Sequence, residues 1–422
     1  MAEVKTTTVQ IPYGHRMVDV RLPAENLQAV MLPKQQADPG DEQTLLAEAL
    51  AQPIGTPRLR ELARPGQKVT LITSDLTRPC PSDRLLPPVL EELAEAGVAD
   101  DDITIVMALG LHRPMTEDEM EAAVGSEVYA RFRVVNHDPE DTLYLGHTPA
   151  GTPVEIYRSV VEADLRVCLG NLELHYFAGY SGGAKAILPG CASRATLNAN
   201  HAMMVQLEAA AGRLAGNPVR EDLEVGAALV GADFILNVIV DGEHRIVEVV
   251  AGDVTAAHRR GCELVAQRGI AEIERPADVV LVSAGGHPKD VNLYQAQKAL
   301  DNAAYAVREG GILILVAECP EGFGNATCQA WLEETSSPDE VLQRIQQEFV
   351  LGGHKAAAIA SVLKRAAIYL VSALPEEVAR QCGFIPFDSA GAALQSALVE
   401  LGPGASVLVL PQGGSVLPVV AG

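Results

Sequence analysis

The sequence predicts an α/β protein with doubly wound, mostly parallel sheets arranged in two domains. Aliphatic runs of strand length alternate with helical patterns over most of the 422 residues. Hydrophobic residues make up 48% of the chain and aromatic residues only 4%, so buried strands must consist mainly of Ala, Val, Leu and Ile. The length also exceeds what one hydrophobic core usually fills, which favours more than one domain.

The predicted strands share a run of aliphatic residues that ends in a turn signal. They occupy residues 69–75, 103–110, 163–170, 234–241, 277–286, 311–317, 367–373 and 406–411. Helical periodicity predicts helices at 82–96, 255–268, 293–307 and 389–401. Thr116 followed by Glu119 forms a capping box, which opens a further short helix. Strands that alternate with helices in this way usually pair in parallel.

The domain boundary is expected near residues 268–278, where RGIAEIERPAD separates a long helix from a new strand. We expect an N-terminal α/β domain over residues 1–270 and a C-terminal α/β domain over residues 275–402. The last strand-like run lies within residues 403–422, which are expected to rejoin the N-terminal domain.

The charge and the cysteines exclude several classes of protein. The formal net charge is −23, from 32 Lys and Arg against 55 Asp and Glu, which disfavours nucleic acid and anionic membranes as partners. A carboxylate site must therefore be built from a few local cations. The seven cysteines include no C-x-x-C pair, which predicts reduced thiols and a cytoplasmic protein. No run of 18 apolar residues and no signal-peptide pattern occurs in the sequence.

Polar residues lie at the ends of two successive predicted strands. Asp75, Thr77 and Arg78 lie at and just past the end of the first, and His112 follows the next. Because ligands bind outside the carboxyl ends of strands in open α/β sheets, these residues could bind a nucleotide or a carboxylate. The structural alternatives are a Pro-rich turn capped by Asp75 and a histidine that only packs.

A long Gly-rich segment at residues 171–190 follows the strand at 163–170 and contains His175 and Lys185, with His201 shortly after it. Gly179, Gly182 and Gly183 would let the backbone approach a ligand closely. Lys185 has apolar neighbours, and desolvation favours the neutral, nucleophilic amine. His201 could bind a metal, although the spacing matches no zinc motif. The alternative is a mobile lid with a surface lysine and histidines.

A strand-loop-helix unit at residues 277–307 carries the fourth group. Its helix places Tyr294 and Lys298 one turn apart with Gln295 beside them, away from the apolar face. This polar face either meets solvent or lines a cleft between the domains. The preceding Gly285-Gly286 turn suits an anion but is not a G-x-G-x-x-G fingerprint, so a nicotinamide dehydrogenase is poorly supported.

Taken together, these four motifs resemble the nickel-pincer-nucleotide lactate racemase family. The matching segments are DLTRPCP (75–81), GLHRPMT (110–116), LHYFAGYSGGAKAILPG (174–190) with NANH (198–201), and GGHPKDVNLYQAQKA (285–299). The resemblance extends from about residue 10 to the C-terminus. Each motif is modest alone, and the ordered set is highly specific.

The resemblance implies two α/β domains with the active-site cleft between them, and a cofactor that composition could not have indicated. This cofactor is a nickel complex of a pyridinium-3-thioamide-5-thiocarboxylate mononucleotide. By motif position, Lys185 is implied as its covalent tether and His201 as the nickel ligand. Asp75, Thr77 and Tyr294 are implied as further cofactor-binding residues.

The resemblance also implies how the substrate is handled. His112 and His175 would be paired general acid/base residues, one for each face of the substrate. Arg78, Gln295 and Lys298 are implied as substrate-binding residues. Whether Arg78 or Lys298 takes the substrate carboxylate, rather than the cofactor phosphate, stays open.

The function implied is racemisation or epimerisation of a small 2-hydroxycarboxylic acid by reversible hydride transfer. No additional arginine stands out for a second carboxylate, which favours a short monocarboxylate such as lactate or 2-hydroxybutyrate. Residues 352–355 contain no aromatic residue, although some lactate enzymes carry one there. Enzymes that synthesise and insert the cofactor are the implied partners, and an oligomer is possible. The alternatives are a non-catalytic cofactor- or ligand-binding paralogue and a nicotinamide-independent 2-hydroxyacid redox enzyme.

Overall fold

The computed structural model describes residues 5–34, 40–335, 337–347 and 349–421. The chain divides into two compact units. The middle unit comprises Gln36–Gln267, and the end unit comprises Met1–Gln35 together with Arg268–Gly422. Among the described residues, none of the helices combines the length and the apolar character needed to span a bilayer.

The strands alternate with helices along most of the chain, as the sequence predicts. The strands are β1 (Thr6–Tyr13), β2 (Arg16–Pro23), β3 (Leu27–Val30), β4 (Val69–Ser74), β5 (Ile103–Ala108), β6 (Arg133–Asn136), β7 (Thr142–His147), β8 (Pro153–Tyr157), β9 (Leu165–Asn171), β10 (Leu174–His175), β11 (Gly179–Tyr180), β12 (Phe234–Val240), β13 (Ile246–Gly252), β14 (Ile270–Ile273), β15 (Ala277–Ser283), β16 (Val307–Val316), β17 (Ala366–Val371), β18 (Ile385–Pro386), β19 (Val407–Leu410) and β20 (Leu417–Val420).

Most of the longer helices bury one apolar face, whereas the helix Gly353–Leu363 is buried on nearly all sides. The helices are α1 (Glu42–Ala51), α2 (Leu59–Leu62), α3 (Ser82–Glu95), α4 (Glu117–Val124), α5 (Ser126–Arg131), α6 (Arg158–Val161), α7 (Arg194–Ala202), α8 (Pro218–Val230), α9 (Ala256–Gly269), α10 (Leu293–Ala303), α11 (Ala326–Glu334), α12 (Pro338–Gln347), α13 (Gly353–Leu363), α14 (Glu376–Gln381) and α15 (Ala390–Leu401). Short 3-10 turns occupy Asp100–Asp102, Gly183–Ala186, Met203–Val205 and Gly413–Ser415.

The middle unit is built on a six-stranded sheet with the strand order β13-β12-β9-β4-β5-β6. Its strands pair in parallel except β13, which is antiparallel to β12. Alternate residues feed a separate core on each face, with Leu71 and Ile105 in one and Ile72 and Val106 in the other. Burial on both faces explains why these strands read as continuous aliphatic runs in the sequence.

The end unit is built on a parallel six-stranded sheet with the order β18-β17-β16-β15-β19-β3. The antiparallel hairpin β1-β2 packs on this sheet, because Ile11 and Val20 share a buried core with Leu281 and Ile314. A short parallel pair, β14-β20, completes the unit. The predicted α/β class with mostly parallel sheets is confirmed.

The structure differs from the expected domain boundaries at both chain ends. The boundary near residue 268 is where the units divide, but the first 35 residues belong to the end unit rather than to an N-terminal domain. Val407–Leu410 pairs with Ala277–Ser283 and Leu27–Val30, so the chain end does not rejoin the middle unit. The physical reason is that β3 and β19 extend the parallel sheet of the end unit.

Local predictions are close to the structure at most element ends, and they differ most where α10 leads into β16. The capping box of Thr116 and Glu119 opens α4 as predicted, with both reciprocal hydrogen bonds formed. The predicted helix at 293–307 instead ends at Ala303, and Val307 already belongs to β16. Val307 is buried in a strand rather than on a helical face, so the apolar spacing was misleading at that end.

Candidate active site

The carboxyl edge of the middle sheet collects most of the polar residues that the sequence singled out. Asp75 follows β4, His112 lies in the loop after β5, and the segment from residue 171 to 190 follows β9. These three strands are neighbours and run in parallel, so their following loops leave the sheet at the same edge. Topology alone therefore brings these loops together.

Asp75, Thr77 and His112 form one hydrogen-bonded cluster at this edge. The buried Asp75 carboxylate contacts His112 Nδ1 at 2.5 Å through Oδ2. Its Oδ1 accepts from the Thr77 hydroxyl at 2.7 Å and from the Thr77 N–H at 3.1 Å. Burial raises the pKa of Asp75, but the hydrogen bonds from His112 and Thr77 outweigh it and leave that pKa lowered. An ionised Asp75 thus fixes the His112 ring with Nδ1 protonated, which is the arrangement a general base requires.

His175 and Lys185 form the second cluster, in the Gly-rich segment. Lys185 Nζ lies 3.4 Å from His175 Nε2, and His175 Nδ1 accepts the N–H of Ala178 at 3.2 Å. A neutral imidazole carries one proton, so with Nδ1 accepting, Nε2 must be the protonated nitrogen. Nε2–H can then only donate to Nζ, and this contact requires Lys185 to be a neutral amine.

The surrounding charges favour the same protonation states. Burial, followed by the positive charges of Arg220 and Arg78, holds the pKa of Lys185 well below its ordinary value against the opposing effect of Glu173. Burial likewise holds the pKa of His175 well below its ordinary value, and the positive charge of Arg78 lowers it further. A neutral amine of this kind is a nucleophile at neutral pH.

Phe177 links this cluster to His201. Its ring is 3% exposed and stands edge-on to His175 at 4.6 Å and to His201 at 4.9 Å between centroids. Lys185 Nζ lies 5.7 Å from the centroid of the same ring. One buried aromatic ring therefore contacts all three residues and sets the spacing between the amine and the two imidazoles.

Side chains of α8 hydrogen-bond to the backbone of the Gly-rich segment. Arg220 is fully buried and donates through Nε to Ala178 O at 3.1 Å and through Nη2 to Tyr180 O. Asn217, the N-cap of α8, donates to Phe177 O at 2.9 Å. These bonds tie the segment that carries His175 to a helix and so pre-organise it.

Glycines in the segment are required for packing against the protein itself. Gly183 has a φ of +59°, and a Cβ there would lie 2.7 Å from the ring of His258. His258 Nε2 in turn donates to Ser181 O at 2.9 Å, and burial lowers the pKa of His258 to about 3. Gly182 similarly lies against Asn237. The space beside Gly182 and Gly183 is therefore occupied by the side chains of Asn237 and His258, where the sequence suggested a ligand.

Tyr294, Gln295 and Lys298 lie on the first turns of α10 in the end unit. Gln295 and Lys298 are exposed, as their polar helical face predicts, whereas Tyr294 is partly buried. The ammonium group of the buried Lys355, on α13, lies 5.4 Å from the Tyr294 ring centroid and donates to Gln297 Oε1 at 2.6 Å. Tyr294 therefore lies beside a buried lysine from a second helix.

Two residues of the site were missed in the sequence. Phe177 lies in the segment LHYFAGYSGGAKAILPG (174–190), but no pattern in the sequence indicated its contacts with His175, Lys185 and His201. Arg220 had a detectable signal, because it falls on the same helical face as Leu223 and Ala227 and an arginine there must be buried. Neither its bond to the Gly-rich segment nor its charge effect on Lys185 could be deduced from spacing.

The residues present limit how a metal could bind. Across the parts of the chain that the structure describes, no group of three or more His, Cys, Asp or Glu side chains is arranged to hold a metal ion. A metal at His201 would therefore need most of its ligands from a non-protein group.

Known proteins resemble this chain over both units. The family model described as the lactate racemase N-terminal domain matches residues 13–212, and that of the lactate racemase C-terminal domain matches residues 273–418. A lactate racemase from Thermoanaerobacterium thermosaccharolyticum is 35% identical over 97% of this chain and 98% of its own length. A lactate racemase from Lactiplantibacillus plantarum is 33% identical over 80% of each chain.

Solved structures agree with these sequence matches. The lactate racemase apoprotein from T. thermosaccharolyticum superposes with a TM-score of 0.89 at 35% identity, covering 98% of this chain and 100% of that one. A protein from Thermotoga maritima, with a TM-score of 0.65 at 21% identity over 92% of this chain and 100% of its own, shares the fold. The near-complete coverage and the two matching domains show that the chain belongs to the lactate racemase family of isomerases.

Proposed function

We propose that this protein racemises a small 2-hydroxycarboxylic acid, with lactate or another short monocarboxylate as substrate. The observation that carries the proposal is the contact of 3.4 Å between Lys185 Nζ and His175 Nε2. It sets a neutral amine beside an imidazole, and His201 lies across the same phenylalanine ring. Membership of an isomerase family makes racemisation the reaction that best fits this arrangement.

The residues present fit a tethered nickel-pincer nucleotide. Lys185 is the proposed tether, because a neutral amine could attack the carbon of a thiocarboxylate arm and form a thioamide with loss of that arm's oxygen as water, which an ammonium group cannot do. His201 is the proposed single protein ligand to nickel, since imidazole suits that metal and the pincer would supply the remaining donors. When bound, such a cofactor supplies a reversible acceptor for the hydride on carbon 2 of the substrate.

The chain's own proton chemistry is assigned to His112 and His175. Each would take the proton of the substrate 2-hydroxyl as carbon 2 becomes trigonal and return it afterwards, one for each enantiomer. Asp75 supports His112 by accepting from Nδ1, which leaves Nε2 as the ring nitrogen able to receive a proton. In the cofactor-free protein the Ala178 N–H holds His175 with Nδ1 accepting and Nε2 protonated against Lys185. Tethering Lys185 would remove that contact, and the ring proton would have to move to Nδ1 before Nε2 could take the substrate proton.

Binding of the anionic substrate is assigned to Arg78, Gln295 and Lys298, and cofactor binding also to Asp75, Thr77 and Tyr294. Local cations are needed because a formal net charge of −23 repels carboxylates at long range. The Arg78 side chain is exposed, and its charge nevertheless lowers the pKa of both His175 and Lys185. That influence supports its proximity to the reacting groups.

The same proposal requires partners that make and insert the cofactor. It also favours a cytoplasmic location, which is supported by the seven free cysteines. A nicotinamide-independent redox enzyme with the same fold would release a 2-keto acid instead of the opposite enantiomer. A binding paralogue would load cofactor or ligand without turnover.

The test is co-expression with the cofactor-synthesis enzymes, followed by intact mass, nickel content and chiral product analysis. We expect a cofactor-sized mass increment and bound nickel in the wild type and in Lys68→Ala, and neither in Lys185→Ala. Purified D- and L-lactate and 2-hydroxybutyrate should each yield the opposite enantiomer. No adduct, in a host that loads a known family member, would contradict the proposal; an adduct without turnover would indicate the binding paralogue.

The histidine assignments need a separate comparison. His112→Gln and His175→Gln should each lower kcat by about 100- to 10,000-fold, the usual contribution of a general acid/base group. The tether should remain, so the intact mass of each loaded variant should equal that of wild type plus the substitution. A variant with full activity would remove that histidine from the mechanism.

A further inference from the structure

We propose that Asn200 and Asp222 are positioning residues that hold His201 in the tautomer whose Nε2 carries the lone pair. Nothing in the family resemblance assigns a role to either residue. The consequence for nickel rests on the proposed function, whereas the tautomer itself is a property of the protein chain. The inference follows from one chain of buried hydrogen bonds.

The orientation of the Asn200 amide is unambiguous. Asn200 is fully buried, and its Nδ2 lies 3.1 Å from Val219 O and 2.8 Å from Asp222 Oδ2. Both partners can only accept hydrogen bonds when the carboxyl is ionised, so the NH2 group must face them. A flipped amide would set its oxygen against two acceptors. Asn200 Oδ1 is therefore fixed on the opposite side.

The fixed oxygen determines the tautomer of His201. His201 Nδ1 lies 3.1 Å from Asn200 Oδ1, which can only accept. Nδ1 must consequently carry the proton, and in the neutral ring Nε2 then carries the lone pair. This is the nitrogen that the ring would use to bind a metal if Nδ1–H is held by a neighbour.

Asp222 is well suited to anchor this chain. It is 5% exposed, and its Oδ1 accepts from the Thr148 hydroxyl while its Oδ2 accepts from the Thr152 hydroxyl at 2.9 Å. Both threonines belong to the turn between β7 and β8, so Asp222 on α8 cannot move without breaking bonds to another element. A fully satisfied buried carboxylate polarises the Asn200 amide and keeps it rigid.

A purely structural role would need only part of this arrangement. The bonds from Asp222 to Thr148 and Thr152 already join α8 to the β7-β8 turn, and the bond from Asn200 to Val219 joins α7 to α8. The additional contact to His201 adds no further connection between elements, since residues 200 and 201 are adjacent. It matches instead the partners that orient metal-binding histidines, whose loss typically costs 10- to 100-fold in metal affinity.

The first test measures the tautomer in the cofactor-free protein. Long-range proton–nitrogen correlation spectra of protein labelled with 15N-histidine, at about pH 8 so that histidines are neutral, distinguish protonated from unprotonated ring nitrogens. The His201 signals are assigned by their absence in His201→Gln. We expect Nδ1 protonated and Nε2 unprotonated. The reverse pattern in wild-type protein would overturn the inference without any reference to the cofactor.

The second test compares two variants that each remove one bond to Asp222. Asn200→Ala removes the hydrogen bonds that connect Asp222 to His201 through Asn200. Thr152→Val leaves those bonds in place and is the matched control. We expect Asn200→Ala to mix the His201 tautomers and, in loaded protein, to lose nickel to a chelator about 10- to 100-fold faster while retaining the Lys185 adduct. Thr152→Val should match wild type in both measurements. Equal behaviour of the two variants would show that Asn200 only packs.

The outcomes separate the two proposals. If His201 has the expected tautomer and Lys185 carries no adduct, the positioning role of Asn200 and Asp222 is supported and the proposed cofactor is contradicted. If the enzyme carries the cofactor but His201 has the opposite tautomer, the proposed cofactor is supported and the positioning role of Asn200 and Asp222 is contradicted.

Discussion

Replacing Lys185 with Met in the cofactor-free protein should change how stability depends on pH. In the folded protein the amine faces His175 Nε2–H and is neutral, because burial and the charges of Arg220 and Arg78 lower its pKa. In the unfolded chain a lysine has a pKa of about 10.4. Between these two values Lys185 binds a proton only when the protein is unfolded.

The size of the effect follows from proton linkage. For one proton bound in excess by the unfolded state, the free energy of unfolding rises by about 1.4 kcal/mol per pH unit. The folded-state pKa of this base is lowered, so its cost to stability is largest at low pH and disappears as the pH approaches the unfolded value. The stability of Lys185→Met relative to wild type should therefore fall by about 1.4 kcal/mol for each pH unit.

Urea unfolding followed by circular dichroism at several pH values would measure this difference. The window from about pH 7.5 to 9 lies above the ordinary pKa of histidine and below that of lysine. Lys68→Met, which removes an exposed lysine of the same unit, is the matched control and should parallel wild type. Parallel curves for Lys185→Met and wild type would show that Lys185 is protonated in the folded state, and the argument for a neutral amine would fail.

Three further changes test other parts of the structure. Asp75→Asn should weaken the loss of stability between about pH 5 and 3, because a carboxylate with a lowered pKa stabilises the fold above its unfolded pKa and loses that contribution as pH falls. The same loss of stability in Asp75→Asn and wild type, measured by urea unfolding, would show that the Asp75 pKa is not lowered in the fold. Gly179→Ala should give little soluble protein on expression, since φ is +76° and the new Cβ would lie 2.1 Å from Arg213 O; normal yield and melting temperature would contradict this packing. Asn26→Ala should lower the free energy of unfolding by about 1–3 kcal/mol, because it removes one buried hydrogen bond to Ala405 O and one partly buried hydrogen bond to Pro403 O. No change in the free energy of unfolding, measured by chemical denaturation, would contradict the attachment of Asn26 to these two residues.

The order and type of the main elements could be predicted because they depend on local patterns. A parallel strand buried on both faces is mostly aliphatic, and this produced the runs that form β4, β5 and β9. The same reasoning located Asp75 and His112 at strand ends, and parallel pairing carries both to one edge. Periodicity was weakest where a helix leads directly into a strand, as at Val307.

The short hairpins and the path of the chain ends could not be predicted in this way. β1-β2 is stabilised by apolar residues that meet partners more than 250 positions away, such as Ile11 against Leu281. Likewise β19 pairs between β15 and β3, which brings the two ends of the chain into one sheet. Such pairings depend on non-local burial, and no local pattern encodes which unit a strand will join.

The sequence by itself determined the fold class, the strand-end positions of the polar residues and the ordered motifs that identify the family. Only the tertiary structure decided which protonation states those residues adopt. The neutral amine of Lys185 depends on burial, on the charges of Arg220 and Arg78 and on the Ala178 N–H. The tautomer of His201 depends on a carboxylate from another helix. The physical reason is that a pKa or a tautomer is set by burial and by neighbouring charges and donors, which the fold brings together from separate parts of the chain.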